Sequence, residues 1–218
     1  MKKAILAVSM MALLSGGAVA SELAGGLELD QKVNSQGQIG ENKAGLKAFV
    51  SYEGFGLSAK RAGSNNEYNA SYTHDFDSFW LKGEGEYVHQ TQLPTNVGKL
   101  GLSAGTQLGE VDVFGRVRND VALKKVKDLQ SNIVRVDLGA GVQATDNVYV
   151  SAKFINQSQL DNATKKVSAR NHIQNYEFRA TFNNIDGIKP YVEVGNEGSF
   201  IEKDKRNSYG KIGLVLDF

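Results

Sequence analysis

The chain contains no cysteine. That excludes disulfides, thiol catalysis and the lipid-carrying cysteine of a lipoprotein. Proline is scarce too, with 2 residues. Pro94 falls in a loop, and Pro190 falls at a strand start, where a missing N–H is tolerated. Beyond residue 20 no apolar run approaches the ~18 residues of a membrane helix. A membrane protein with this sequence must then be a β-barrel, because only helices and closed barrels satisfy every backbone polar group in lipid. No charge sign dominates either, since 25 Lys and Arg stand against 24 Asp and Glu. Nothing suggests a nucleic-acid partner. There is no metal-ligand spacing, no phosphate loop and no internal repeat, and no cofactor is expected.

What is present begins with a separate object at residues 1–20. Lys2 and Lys3 precede the apolar stretch Ala4 to Leu14, and Ala18-Val19-Ala20 forms a small-residue cleavage site. Cleavage of this signal peptide after Ala20 and export are expected. Residues 21–218 remain as one domain of 198 residues, and loss of the two lysines changes the formal net charge from +1 to −1.

The rest is organised by period two. In the terminal stretch Phe218, Leu216, Leu214, Ile212 and Gly210 share one parity, and Asp217, Val215, Gly213, Lys211 and Tyr209 share the other. That alternation gives a strand one oily and one wet face. By itself it fits either the edge of a soluble sandwich or the closing strand of an outer-membrane barrel. Eleven further alternating segments precede it: 26–33, 43–52, 55–60, 67–74, 79–89, 99–107, 110–118, 132–143, 147–155, 172–183 and 190–195. The 79–89 segment sets Phe79, Leu81, Gly83, Gly85 and Tyr87 against Trp80, Lys82, Glu84, Glu86 and Val88. A Lys or Arg on the lipid face at the midplane costs about 2–4 kcal/mol. In a membrane barrel the charged parity, Trp80 included, therefore faces the lumen.

The connections alternate. Glu53-Gly54, Asp75–Ser78, Leu108-Gly109, Thr145-Asp146 and Asn184–Gly187 are short. Asn34–Glu41, Arg61–Asn66, Thr91–Val97, Asn119–Ser131, Asn156–Asn171 and Asn196–Lys205 are read as longer loops. Outer-membrane barrels have this asymmetry, and a soluble sandwich has no reason for it. Tyr52, Phe55, Phe76, Phe79, Phe182 and Phe218 fall at the short-turn end, with Tyr68, Tyr87 and Tyr176 nearer the loops, as two interface belts require. The expected fold is all-β: a transmembrane antiparallel β-barrel of 12 strands, surrounded by lipid of a Gram-negative outer membrane.

Two blocks carry a resemblance to a known family. Ser51-Tyr-Glu-Gly-Phe-Gly-Leu-Ser58 is similar to the second hairpin of the oligogalacturonate-specific porins, the family that includes the sialic-acid porin. Lys189-Pro-Tyr-Val-Glu-Val-Gly-Asn196 with Tyr209–Phe218 resembles the closing hairpin. The resemblance implies a monomer that passes small anionic sugars through a narrow pore lined by two facing basic tracks. Arg116, Arg118, Arg135 and Arg179 have lumen parity here, and Lys47, Lys60, Lys82, Lys99, Lys153 and Lys211 can join them. The sequence departs from an all-basic lining, since Glu28, Asp30, Glu84, Glu86, Asp112, Asp137, Glu177, Glu193 and Asp217 share that parity.

Two readings of the arginines stay open. A guanidinium forks onto a carboxylate, so several in a row can hand an acidic sugar along. Alternatively each Arg braces the wall against a lumen acid, with Arg135/Asp137 and Glu177/Arg179 as i, i+2 pairs. Trp80 and Tyr191 either stack on sugar rings or fill the lumen. Two other functions compete with a porin: a structural barrel closed by its own ion pairs, and an outer-membrane hydrolase. A hydrolase needs Ser and His within hydrogen-bond reach. His74, His89 and His172 lie on different segments, and nothing in the sequence points to a partner across strands.

Overall fold

Alternation commits one parity of every segment to a single face, and pairing edge to edge until no edge is left satisfies all the strands at once. The computed structural model, which describes residues 23–34, 44–91, 96–123, 132–160, 170–200 and 206–218, has this arrangement. Twelve strands pair antiparallel with their sequence neighbours: β1 (Ala24–Asn34), β2 (Ala44–Tyr52), β3 (Phe55–Ala62), β4 (Asn65–Phe76), β5 (Phe79–Gln90), β6 (Asn96–Leu108), β7 (Val111–Ala122), β8 (Ile133–Thr145), β9 (Val148–Gln159), β10 (His172–Phe182), β11 (Ile188–Gly198) and β12 (Arg206–Asp217). The barrel closes between β1 and β12, where Leu29 faces Leu214 and Leu27 faces Leu216. Gly25 and Phe218 exchange both backbone hydrogen bonds at 2.9 Å.

The faces separate as alternation demands. Leu57, Leu100, Leu102, Phe178, Val194 and Ile212 point outward, and Leu100 and Ile212 are 71% and 67% exposed. Lys82, Asp112, Asp137, Thr181 and Glu193 are buried inside. A barrel greasy outside and charged inside is built for a bilayer. Two aromatic groups mark its ends. At the short-turn end Phe55, Tyr72, His74, Phe76 and Phe79 form a chain of ring contacts, with Phe76 and Phe79 stacked at 4.8 Å. Toward the loop end Phe154 and Tyr176 meet at 5.4 Å.

The strands run past several expected ends, and one connection differs outright. Arg61–Asn66 is not a loop: β3 continues to Ala62, β4 starts at Asn65, and Gly63-Ser64 turns the chain. Gly63 supplies a positive φ of 57° there. Long and short connections therefore do not alternate at this position. Elsewhere β7 continues through Asn119 to Ala122, β9 through Asn156 to Gln159, and β11 through Asn196 to Gly198. The proposed signal peptide and cleavage site lie outside the described residues. So do the central parts of the five remaining long connections.

Candidate channel lumen

Register decides which lumen side chains meet. Arg116 on β7 sits opposite Asp137 on β8 and Ser103 on β6. Its Nε donates to Asp137 Oδ2 at 2.8 Å, and its Nη1 donates to Glu84 Oε1 of β5 at 3.0 Å. Glu84 reaches across β6 because residue 101 is glycine; a Cβ there would meet Glu84 Oε1 at 2.8 Å. Arg135 Nε donates to the other oxygen of Asp137 at 2.6 Å. Lys82 lies 3.7 Å from Glu84, its side chain 1% exposed and its ammonium without a hydrogen bond. One continuous network, Lys82–Glu84–Arg116–Asp137–Arg135, thus spans β5 to β8. Above it Arg118 pairs with Asp120 at 2.6 Å, and Lys99 pairs with Glu86.

A second set of pairs lines β9 to β3, through β12 and β1. Glu193 on β11 accepts from Arg179 of β10 and from Lys211 of β12, at 2.8 and 2.7 Å. Tyr209 also donates to it, at 3.1 Å. The Arg179 guanidinium lies 4.1 Å from the centre of the Tyr191 ring, and the Tyr191 hydroxyl donates to Glu28 at 2.8 Å. Lys153 pairs with Glu177, and Lys60 reaches Asp30 at 3.0 Å over Gly45. Lys189, which sequence reasoning missed, pairs with Asp217, and Lys32 pairs with Glu197 at 2.8 Å. Of the ten lining residues expected from sequence, Lys47 stands apart. Glu28, Lys60, Arg179 and Glu86 are within electrostatic reach, but among the described residues no carboxylate closes on it.

These pairs follow the wall. Each joins two residues of one strand, or strands one or two places apart in the sheet order. A bridge across the pore would join strands about six places apart. The expected i, i+2 brace forms at Arg135–Asp137 but not at Glu177–Arg179, whose members pair instead with Lys153 and Glu193. Nearer the short-turn end the lining tightens into a layer of Thr73, Trp80, Tyr149, Thr181, Tyr191 and Val215, all buried. A cavity of about 40 Å³ remains beside it, bounded by Asp112, Phe114, Tyr149, Lys153, Arg179 and Glu193. Trp80 and Tyr191 lie over Gly105 and Gly213 of neighbouring strands, so both pack into this layer.

One serine and one histidine meet across strands, a pairing that the sequence left open. Ser158 Oγ and His172 Nδ1 are 2.8 Å apart across β9 and β10, on the outer face at the loop end. Among the described residues no third group orients the imidazole.

A closed twelve-stranded antiparallel barrel with an apolar outer belt and an ion-paired, charged interior has the architecture of a transmembrane β-barrel of the outer membrane. Among solved structures the chain is similar to the NanC porin, with a TM-score of 0.69 at 10% identity over 87% of this chain and 98% of that one. It is also similar to the KdgM porin, alone and in complex with disordered oligogalacturonate, with a TM-score of 0.65 at 15% identity over 88% of this chain and 99% of the other. At these identities the likeness is one of fold. No protein-family model matches the chain, and no curated protein matches it.

Proposed function

We propose that the chain, after removal of residues 1–20, works as a monomeric outer-membrane porin, a passive channel for small solutes with acidic oligosaccharides as the favoured class. The observation that carries this reading is the wall-parallel course of the ion pairs. Arg116, Arg135, Lys153 and Lys211 stay partly exposed although paired, which leaves their charged groups open to solvent or solute on the lumen side. Their guanidinium and ammonium groups can meet a passing carboxylate without deep burial of either partner. The KdgM structure obtained with oligogalacturonate supports the same substrate class. No hydrolytic reading is adopted, since among the described residues no third group orients the Ser158–His172 pair.

A barrel closed at its short-turn end is the second reading, and the buried layer around Trp80 and Tyr191 favours it. Planar-bilayer recordings of the refolded protein under a KCl gradient separate the two. Steady conductance with an anion-selective reversal potential supports the proposal, and the absence of conductance supports the closed barrel. Arg116→Ala combined with Arg118→Ala should lower uptake of acidic oligosaccharides; unchanged uptake removes both from the solute path.

A further inference from the structure

The lipid-facing wall carries few charges, and they are unevenly placed. Among the described strand residues, Arg61 of β3 and Arg206 of β12 are the Lys or Arg side chains with outward parity. Both lie at the loop end. No described strand carboxylate has outward parity. At the opposite end each of the five short turns carries an acid, namely Glu53, Asp77, Glu110, Asp146 and Asp186, and none carries Lys or Arg. The outer surface is therefore polarised along the membrane normal. Its cationic end is the one that meets the outer leaflet.

Arg61 heads a polar row on that face. Register places it beside Asn66, Asn66 beside His89, and His89 beside Asn96, across β3 to β6. Arg61 Nη1 donates to Asn66 Oδ1 at 2.8 Å, and His89 Nδ1 lies 3.0 Å from Asn96 Oδ1. Among the described residues no carboxylate pairs with Arg61, in contrast to the arginines of the lumen. One step toward the midplane the wall opens into an apolar groove of about 990 Å³. Its floor is small, with Ala59, Ala70 and Gly85, and Tyr68, Tyr87 and Leu100 rise beside it. Ala70 and Gly85 are paired across β4 and β5, and a Cβ at Gly85 would meet only Leu100, at 3.7 Å.

We propose that the groove and its polar row form a docking site for a phosphorylated lipid of the outer leaflet, with an acyl chain in the groove and a phosphate on Arg61. The proposal rests on the membrane-barrel reading and is independent of whether the pore conducts. A guanidinium free of carboxylates presents its N–H fork to a phosphate in the geometry that anion prefers. The groove lies at the upper end of the 300–1,000 Å³ usual for small-molecule sites. A second copy of the chain fits less well. Two barrels meeting here about an axis along the membrane normal would set one concave surface against another and bring their Arg61 side chains to the same height.

The test is native mass spectrometry of the folded, purified protein in detergent, titrated with lipid A. One lipid A should bind tightly per barrel. Arg61→Ala should weaken that binding about tenfold, as loss of a charge-assisted contact implies. Gly85→Leu, which fills the floor, should weaken it as well, whereas Arg206→Ala should leave it intact. Dephosphorylated lipid A should bind wild type as weakly as lipid A binds the Arg61→Ala protein. Equal binding of phosphorylated and dephosphorylated lipid by wild type would overturn the proposal without any variant having to fold. A dimer that lipid A does not dissociate would overturn it in favour of a second copy. Conductance of the same preparation tests the channel separately.

Discussion

Replacing Asp137 with asparagine tests the lumen networks most directly. Asp137 is 0% exposed and holds two guanidiniums, one on each oxygen. Asparagine keeps the shape and removes the charge. Arg116 retains Glu84 at 3.0 Å, but Arg135 loses its carboxylate. Breaking a buried ion pair by removing one partner costs about 3–5 kcal/mol. The Arg116 and Arg135 side chains are 14% and 16% exposed, so water compensates in part. The expected loss is about 3 kcal/mol, at the lower end of that range.

Urea unfolding in lipid vesicles measures this, with Trp80, the chain's one tryptophan, as a buried reporter in the lumen wall. The same variant adds one net positive charge to the pore, so its reversal potential should move toward anion selectivity. A loss below about 1 kcal/mol, the worth of an exposed pair, would refute the buried-pair assignment. The expected loss of about 3 kcal/mol with an unchanged reversal potential would refute the idea that lumen acids offset the basic lining.

Lys47→Ala removes a lumen cation that no described carboxylate holds; anion preference should fall while stability in the same urea assay changes by about 0.5 kcal/mol or less. Gly101→Val puts a side chain where Glu84 crosses β6. It should cost about 1–3 kcal/mol, as overpacking does, and it should reduce the stability difference between Arg116 and its Ala variant without abolishing it, because Asp137 still holds Arg116 when the new side chain displaces Glu84.

The faces of the strands were legible because parity is a property of a single strand and charge cannot be left in lipid. Lys82, Glu84 and Trp80 could be assigned inward from β5 alone. Strand ends were less legible, since alternation fades before pairing does. Arg61 and Asn66 read as loop because their polarity matches a loop, yet both sit on strands that a two-residue turn joins. The partners of the lumen charges could not be read, because they depend on register between strands. Glu177 and Arg179 look like a pair in sequence, but Lys153 and Glu193 lie directly opposite them on the adjoining strands. Arg116 with Glu84 also required a glycine on the strand between. Ser158 and His172 were invisible for the same reason, since 14 residues separate them and only the β9–β10 register brings them together.

A paired basic lining also changes how such a pore would treat an anionic solute. An arginine without a partner would capture a carboxylate and release it slowly. An arginine already held by Asp137 offers only its remaining N–H groups, so a solute carboxylate competes with one fixed in the wall. Each station then binds weakly, which conduction requires. Glycine at positions 45 and 101 lets Asp30 and Glu84 lie flat across a strand, which keeps those acids close to the sheet and away from the pore axis. The acids would then do two jobs. They satisfy the cations in the empty pore, and they limit how tightly any one cation can hold a sugar. On this argument Lys47, with no carboxylate to displace among the described residues, is a station where an acidic solute would dwell longer than at the paired cations.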